Sequence, residues 1–170
     1  IPDANFKAYL VGNTAINTNG DTEIQLSEAT AFNGGISCSS MNISDLTGIE
    51  DFTALTWLEC WNNQLTSLDL SGATALTYLE CWSNQLLNLD VSQNTALTEL
   101  TCSSNQLTTL DVSQNTALTE LTCSSNQLTS LDVSNNTALT YLNVFVNQLT
   151  SLYFIKHTTI PELSCSYNHS

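Results

Sequence analysis

The sequence predicts an α/β repeat solenoid. Short coils stack with a parallel sheet along one face, and a small helical cap covers the N-terminal end. Three observations predict it. Leucine or isoleucine recurs at 55, 76, 97, 118, 139 and 160, always 21 residues apart. Within a copy, an alternating stretch precedes an asparagine: Leu100 and Cys102 alternate with Glu99, Thr101 and Ser103 before Asn105. That is the period of a strand with one buried side, followed by a turn. Residues 1–35 lack the recurrence and set Phe6, Tyr9 and Leu10 on one helical face instead.

The N-terminal segment, 1–35, reads as helix–loop–helix. Pro2 and Asp3 mark a helix start. The stretch 17–28, NTNGDTEIQLSE, follows the spacing of an EF-hand loop. Asn17, Asn19 and Asp21 stand at the first, third and fifth places, and Glu23 at the carbonyl place. Ile24 takes the apolar place and Glu28 the bidentate one, and 26–32 opens the exiting helix. Asn17 stands where Asp is usual, and Thr22 where Gly makes the sharp turn. Two readings stay open: one weakly bound calcium ion held by Asn17, Asn19, Asp21, Glu23 and Glu28, or a metal-free loop held by Asx-turn bonds. Either way the segment covers the first coil, as solenoid ends require.

Residues 36–170 form the solenoid. One loose unit (Ile36, Cys38, Met41, Ile43, Leu46, Ile49) carries one extra residue, five complete 21-residue units follow, and a sixth stops at Ser170. The units read L-T-x-L-x-C-x-x-N-Q-L-T-x-L-D-V-S-x-N-T-A. The first eleven positions are the leucine-rich-repeat signature. Asn63, Asn84, Asn105, Asn126, Asn147 and Asn168 are expected to stack as a ladder, each amide bonding the backbone of neighbouring coils. The sheet lines the concave face. The second half of each unit is too short for a full helix and reads as a short strand or 3-10 turn on the convex face. Asp69, Asp90, Asp111 and Asp132 in that half are expected to accept backbone N–H groups in their own turns, with cation bridging between coils as the rival.

With these motifs the chain resembles a family of secreted bacterial leucine-rich-repeat proteins with 21-residue, cysteine-bearing repeats, of the internalin J type, with similar arrays in Bacteroidota and gut Firmicutes. The resemblance covers roughly 36–168, and 1–35 resembles an EF-hand or dockerin-like half. It implies a secreted or cell-surface bacterial protein that serves adhesion and recognition and is not an enzyme.

Cys38, Cys60, Cys81, Cys102, Cys123 and Cys165 share one position of successive units, and Val144 holds it in the fifth. Neighbouring coils place these residues about 4.8 Å apart with parallel Cβ vectors, a poor geometry for disulfides. In-line thiolates do not converge on zinc, and His157 and His169 stand at the far end. The expected structure is a ladder of buried free thiols that fills the core.

Sixteen acids stand against two bases, Lys7 and Lys156, for a net charge of −14. That excess repels phosphate backbones and anionic membrane surfaces, which argues against nucleic acid as a partner. No apolar run long enough for a membrane span occurs. The absence of a signal segment reads as a mature or trimmed start, and the end in mid-unit reads as a fragment or as a face covered by another subunit.

Core letters repeat in every unit, so selectivity must lie in the outward strand positions. Trp57, Tyr78, Glu99, Glu120, Tyr141 and Glu162 occupy the third place. Glu59 and Glu80 lead the fifth place, and Trp61, Trp82 and Phe145 stand out at the seventh. The tryptophans cluster on the first two units around Tyr78, Glu59 and Glu80, and Tyr141 with Phe145 forms a second, smaller group. Such surfaces bind sugars or proteins. The rival is that the rings pack on one another.

The expected function is a non-enzymatic extracellular module that binds protein or glycan at a cell surface. The alternatives are end-to-end self-association into a fibre or oligomer through the open C-terminal coil, and ice binding by Thr56, Thr77, Thr98, Thr119 and Thr140. Catalysis is not expected, because a shallow sheet offers no cleft in which Glu99 and Glu120 could work together.

Overall fold

The computed structural model describes residues 1–154 and 160–168; Lys156, His157 and His169 lie outside them. Helix among the described residues is confined to α1 (Ala4–Gly12), α2 (Leu26–Ala31) and a 3-10 turn at Ile49–Asp51. Nine short strands among the described residues follow the repeat: β1 (Gly35–Ser37), β2 (Trp57–Glu59), β3 (Tyr78–Glu80), β4 (Glu99–Thr101), β5 (Glu120–Thr122), β6 (Ser130–Asp132), β7 (Tyr141–Asn143), β8 (Ser151–Tyr153) and β9 (Glu162–Ser164). Seven form one parallel sheet in the order β1-β2-β3-β4-β5-β7-β9. Gly35 pairs with Trp57, 22 residues on, whereas Trp57 pairs with Tyr78 and Tyr78 with Glu99, 21 residues on. The longer first step is the extra residue of the loose unit.

Among the described residues, the expected second strand on the opposite side forms in the fourth and fifth units, where β6 pairs with β8. The other units make turns there. The 3-10 alternative is found in the loose unit, at Ile49–Asp51.

Each unit turns out of its strand through a residue in the left-handed region. Asn62, Ser83, Ser104, Ser125, Val146 and Tyr167 have φ between 53 and 57°. Asparagine tolerates that region well, and a β-branched valine poorly. The turn aims the next residue inward. Asn105 donates from Nδ2 to the carbonyls of Cys81 (3.0 Å) and Cys102 (3.1 Å), and its Oδ1 accepts the N–H of Leu86 (3.0 Å). Asn84, Asn126, Asn147 and Asn168 repeat this set, each tying its own coil to the previous one. Asn63 makes the first rung and serves two N–H groups, of Met41 and Ile43. A second ladder stands across the core: Asn94, Asn115 and Asn136 donate to carbonyls of the preceding coil.

Between the ladders lies a continuous apolar core. In the third unit Leu97, Leu100, Cys102, Leu107, Leu110 and Val112 are all buried. A fully buried aliphatic side chain contributes about 1.5–3 kcal/mol, but only once a neighbouring coil covers it. The cysteines are free thiols, buried at 38, 60, 81, 102 and 123. Burial pushes the Cys38 and Cys123 thiols up to about 12 and the three between them well upward, so they are inert as nucleophiles. Val144 is fully buried in the same slot. Cys165 departs from the expected buried ladder: it is exposed, because no described coil lies beyond it.

The N-terminal cap fits the first coil through polar contacts. Asp3 caps α1, its Oδ1 accepting from Asn5 and Phe6 while its Oδ2 accepts from the N–H and hydroxyl of Ser44. Tyr9 closes the sheet edge: its hydroxyl oxygen accepts the N–H of Ser37 in β1. Phe6, Leu10 and Ile16 are fully buried against the first coils' core.

Candidate recognition face

The outward positions of the seven-stranded sheet form three rows, because alternate residues of a strand share a face and parallel strands align them. On β1 to β3 the first row is Gly35, Trp57, Tyr78 and the second is Ser37, Glu59, Glu80. The third row, two residues further on, holds Ser39, Trp61 and Trp82. The structure thus brings the six predicted residues of the first two units together as aromatic, acidic and aromatic pairs side by side.

Trp61 and Trp82 stack with centroids 4.7 Å apart and planes 6° from parallel. Trp57 and Tyr78 meet at 5.9 Å and 43°. All four rings are half-buried. Self-packing is therefore real, and each pair contributes about 0.5–1.5 kcal/mol beyond its buried area. In the tryptophan pair it uses up one face of each ring. Serines 39 and 103 flank the tryptophan stack, so no large side chain of that row covers its outer faces. Trp57 lies over Gly35, where a Cβ would stand 2.2 Å from the indole.

The acids between the rings are held in place. The Ser37 hydroxyl donates to Glu59 Oε2 at 2.8 Å, and the Tyr78 hydroxyl donates to Glu80 Oε1 at 2.7 Å. Burial, then Glu80, push the Tyr78 phenol upward, so it stays a donor. Glu99 and Glu120 continue the first row in register, and Ser103 and Ser124 bond hydroxyl to hydroxyl. Tyr141 stands apart in β7. Phe145 meets Tyr167 edge-on at 5.1 Å in place of the expected Tyr141. Tyr167 was legible only as a large residue at a place that elsewhere holds Ser, Asn or Val.

Two other predicted groups resolve into local hydrogen bonding. The Asp row makes Asx turns: Asp69, Asp90, Asp111 and Asp132 accept the N–H of Ser71, Ser92, Ser113 and Ser134 at 2.8–2.9 Å. Hydrogen bonding to these serines holds all four carboxyls below the usual carboxylate range. A lowered pKa stabilises the fold above the unfolded-state value, and that contribution fades as acid protonates the carboxylates. The threonine hydroxyls bond the preceding coil: Thr77, Thr98, Thr119 and Thr140 each donate to the threonine carbonyl 21 residues back.

The 17–28 loop also closes on itself. Asn17 bonds Val11, Gly20 and Asp21, and Asn19 bonds Asp21 and Gln25. Glu23 pairs with Lys7. Glu28 accepts from Thr18, Asn19 and Gln25, and these bonds, that of Gln25 first, hold its carboxyl below the usual range. Both Glu28 oxygens are spoken for by backbone N–H groups. A calcium ion held here would have to displace those bonds. Among the described residues no group of three or more His, Cys, Asp or Glu side chains converges as a metal site.

A parallel sheet of short strands, an asparagine ladder and leucine-filled coils define a leucine-rich-repeat domain. The chain belongs to the family described as the endo-β-N-acetylglucosaminidase EndoS LRR domain, which matches it over residues 20–136. The chain is similar to the functional domain of InlJ from Listeria monocytogenes, which includes a cysteine ladder: 47% identity and a TM-score of 0.76 over 84% of this chain and 31% of that one. It shares the fold of InlF, an internalin from Listeria monocytogenes, at 24% identity and a TM-score of 0.75 over 88% of this chain and 45% of that one. An LRR protein of Leptospira interrogans is similar at 31% identity and a TM-score of 0.59, over 61% of this chain and 29% of that one. The chain thus spans less than half of each of these relatives. None of the curated proteins matches it. The fold and the cysteine ladder are internalin-like, and nothing in the arrangement points to catalysis.

Proposed function

We propose that this domain is an extracellular recognition or adhesion module that takes a protein or glycan partner on the outward face of its seven-stranded sheet, the concave face in this architecture. The observation that carries the reading is the stacked Trp61–Trp82 pair. It sits on a sheet face whose core positions repeat from unit to unit while the outward ones change. Half-exposed aromatic pairs flanked by fixed polar groups are the common anchors of binding surfaces. Likeness to internalins supports a protein partner at a cell surface. The family name, taken from a domain of an endo-β-N-acetylglucosaminidase, keeps carbohydrate among the partners. Among the described residues no helix is long and apolar enough to cross a membrane.

The test is Trp61→Ala with Trp82→Ala, assayed on a glycan array and a panel of purified cell-surface proteins. Binding is expected to fall about tenfold or more, since an anchor pair of this kind carries roughly 1.4 kcal/mol or more. Circular dichroism of the double variant should stay native. Undiminished binding to every positive probe would sink the reading.

A second reading rests on the last described coil. Leu163 is 43% exposed, whereas its register partner Leu142 is fully buried. Such an edge offers unpaired backbone groups to a further strand, of this protein or of another chain. Sedimentation equilibrium at high concentration decides it: a concentration-dependent rise in mass supports end-to-end association, and a monomer throughout removes it.

A further inference from the structure

We propose that the paired carboxylates of Glu59 and Glu80, walled by Trp61 and Trp82 on one side and Trp57 and Tyr78 on the other, bind an arginine side chain presented by a basic segment of a partner protein. The proposal rests on the sheet face being the recognition surface and names what that surface selects. Glu59 and Glu80 are register partners on adjacent strands, so their charges stand about 5 Å apart. Like charges at that spacing repel, and a cation between or above them relieves that repulsion. The protein supplies none among the described residues: Lys7, the one described Lys or Arg, is paired with Glu23 on the cap.

The carboxylates are nevertheless oriented. Ser37 and Tyr78 each hold one oxygen, leaving Glu59 Oε1 and Glu80 Oε2 without a protein donor among the described residues. Two free acceptor oxygens beside flat aromatic faces match a guanidinium. Its planar fork of N–H donors bonds carboxylates, and its face stacks on indole rings. An ammonium is a point charge that meets the acids but gains less from the rings. A neutral sugar stacks on the tryptophans yet leaves the charge repulsion in place. The electrostatics therefore favour a basic protein segment.

The test is a tryptophan-fluorescence titration with a tetra-arginine peptide at about 150 mM salt, where surface charges are screened beyond roughly 8 Å. Saturable binding is expected, weaker by about tenfold or more in Glu59→Gln with Glu80→Gln. Asp111→Asn with Asp132→Asn removes the same charge elsewhere and is expected to leave affinity within about twofold. Equal losses in the two variants mean that net charge alone attracts the peptide and overturn the proposal. Tetra-lysine binding as tightly as tetra-arginine also overturns it. If an N-acetylglucosamine oligomer binds and is lost in the Trp61→Ala, Trp82→Ala variant while tetra-arginine does not bind, the recognition face stands and the arginine fails. If the tryptophan variant loses no probe, both fall.

Discussion

Asn105→Ala is expected to destabilise the domain by about 3–5 kcal/mol, although it removes only a carboxamide from one of six near-equivalent rungs. The size follows from what each bond leaves behind. The carbonyls of Cys81 and Cys102 keep one donor each, from Asn84 and Asn126. The N–H of Leu86 has no such reserve, because Asn105 Oδ1 is the acceptor found for it. An orphaned buried donor costs about 1–3 kcal/mol, two shared bonds to carbonyls add about 1 kcal/mol each, and the vacated space adds a cavity. Solenoid stability is a chain of nearest-neighbour terms, so a loss at a central interface weakens the whole stack. Urea unfolding followed by circular dichroism measures it. Cys102→Val in the same unit is the control, expected within about 1 kcal/mol of the parent because Val144 already fills that slot. A loss for Asn105→Ala no larger than the control's would show that water replaces the amide.

The contrast between Asn105 and Cys102 explains how far the sequence could be read. The cysteine is the more conspicuous letter, yet the bonds made at its position use its carbonyl, which Val144 offers equally. The asparagine is legible because a polar side chain recurring among buried leucines needs partners, and the nearest ones are the backbones of adjacent coils. The same logic could have found Asn94, Asn115 and Asn136. They escaped because that half of the unit is rich in Asn, Thr and Ser that ordinarily stay in solvent. The recognition face was half legible. Alternation and register place Trp57, Glu59, Trp61, Tyr78, Glu80 and Trp82 on one surface from sequence alone. Which rings would stack on each other was not legible, because that depends on rotamers and on small neighbours such as Gly35. The spacing of the 17–28 loop suggests a cation, whereas Glu28 caps N–H groups. Spacing fixes where a carboxylate sits, and the direction in which it points depends on competing donors.

Gly72→Gln is expected to destabilise the domain by about 2–3 kcal/mol, against the ordinary rule that restoring a repeat's consensus residue stabilises it. The following units carry Gln93, Gln114 and Asn135 at that place. What sets Gly72 apart is the extra residue of the preceding loose unit. It falls between Leu46 and Ile49, just ahead of the 3-10 turn at Ile49–Asp51, whose Glu50 carbonyl stands against Gly72. A Cβ on Gly72 would lie 1.9 Å from that oxygen and 3.0 Å from its carbon. The obstacle is backbone, which cannot rotate away as a side chain does, so one coil has to move. Because the clash starts at Cβ, Gly72→Ala is expected to cost nearly as much as Gly72→Gln. The reverse change, Gln93→Gly, is expected to cost only about 1 kcal/mol or less, through backbone entropy. Urea midpoints of the three variants separate the two causes, and a neutral Gly72→Ala would mean that the 3-10 turn gives way freely. The displaced coil also carries Gly35 beneath Trp57, so Gly72→Ala should shift tryptophan emission even where the protein stays folded. A steric fit on one side of the first coil thereby helps set the geometry of the aromatic patch on the other.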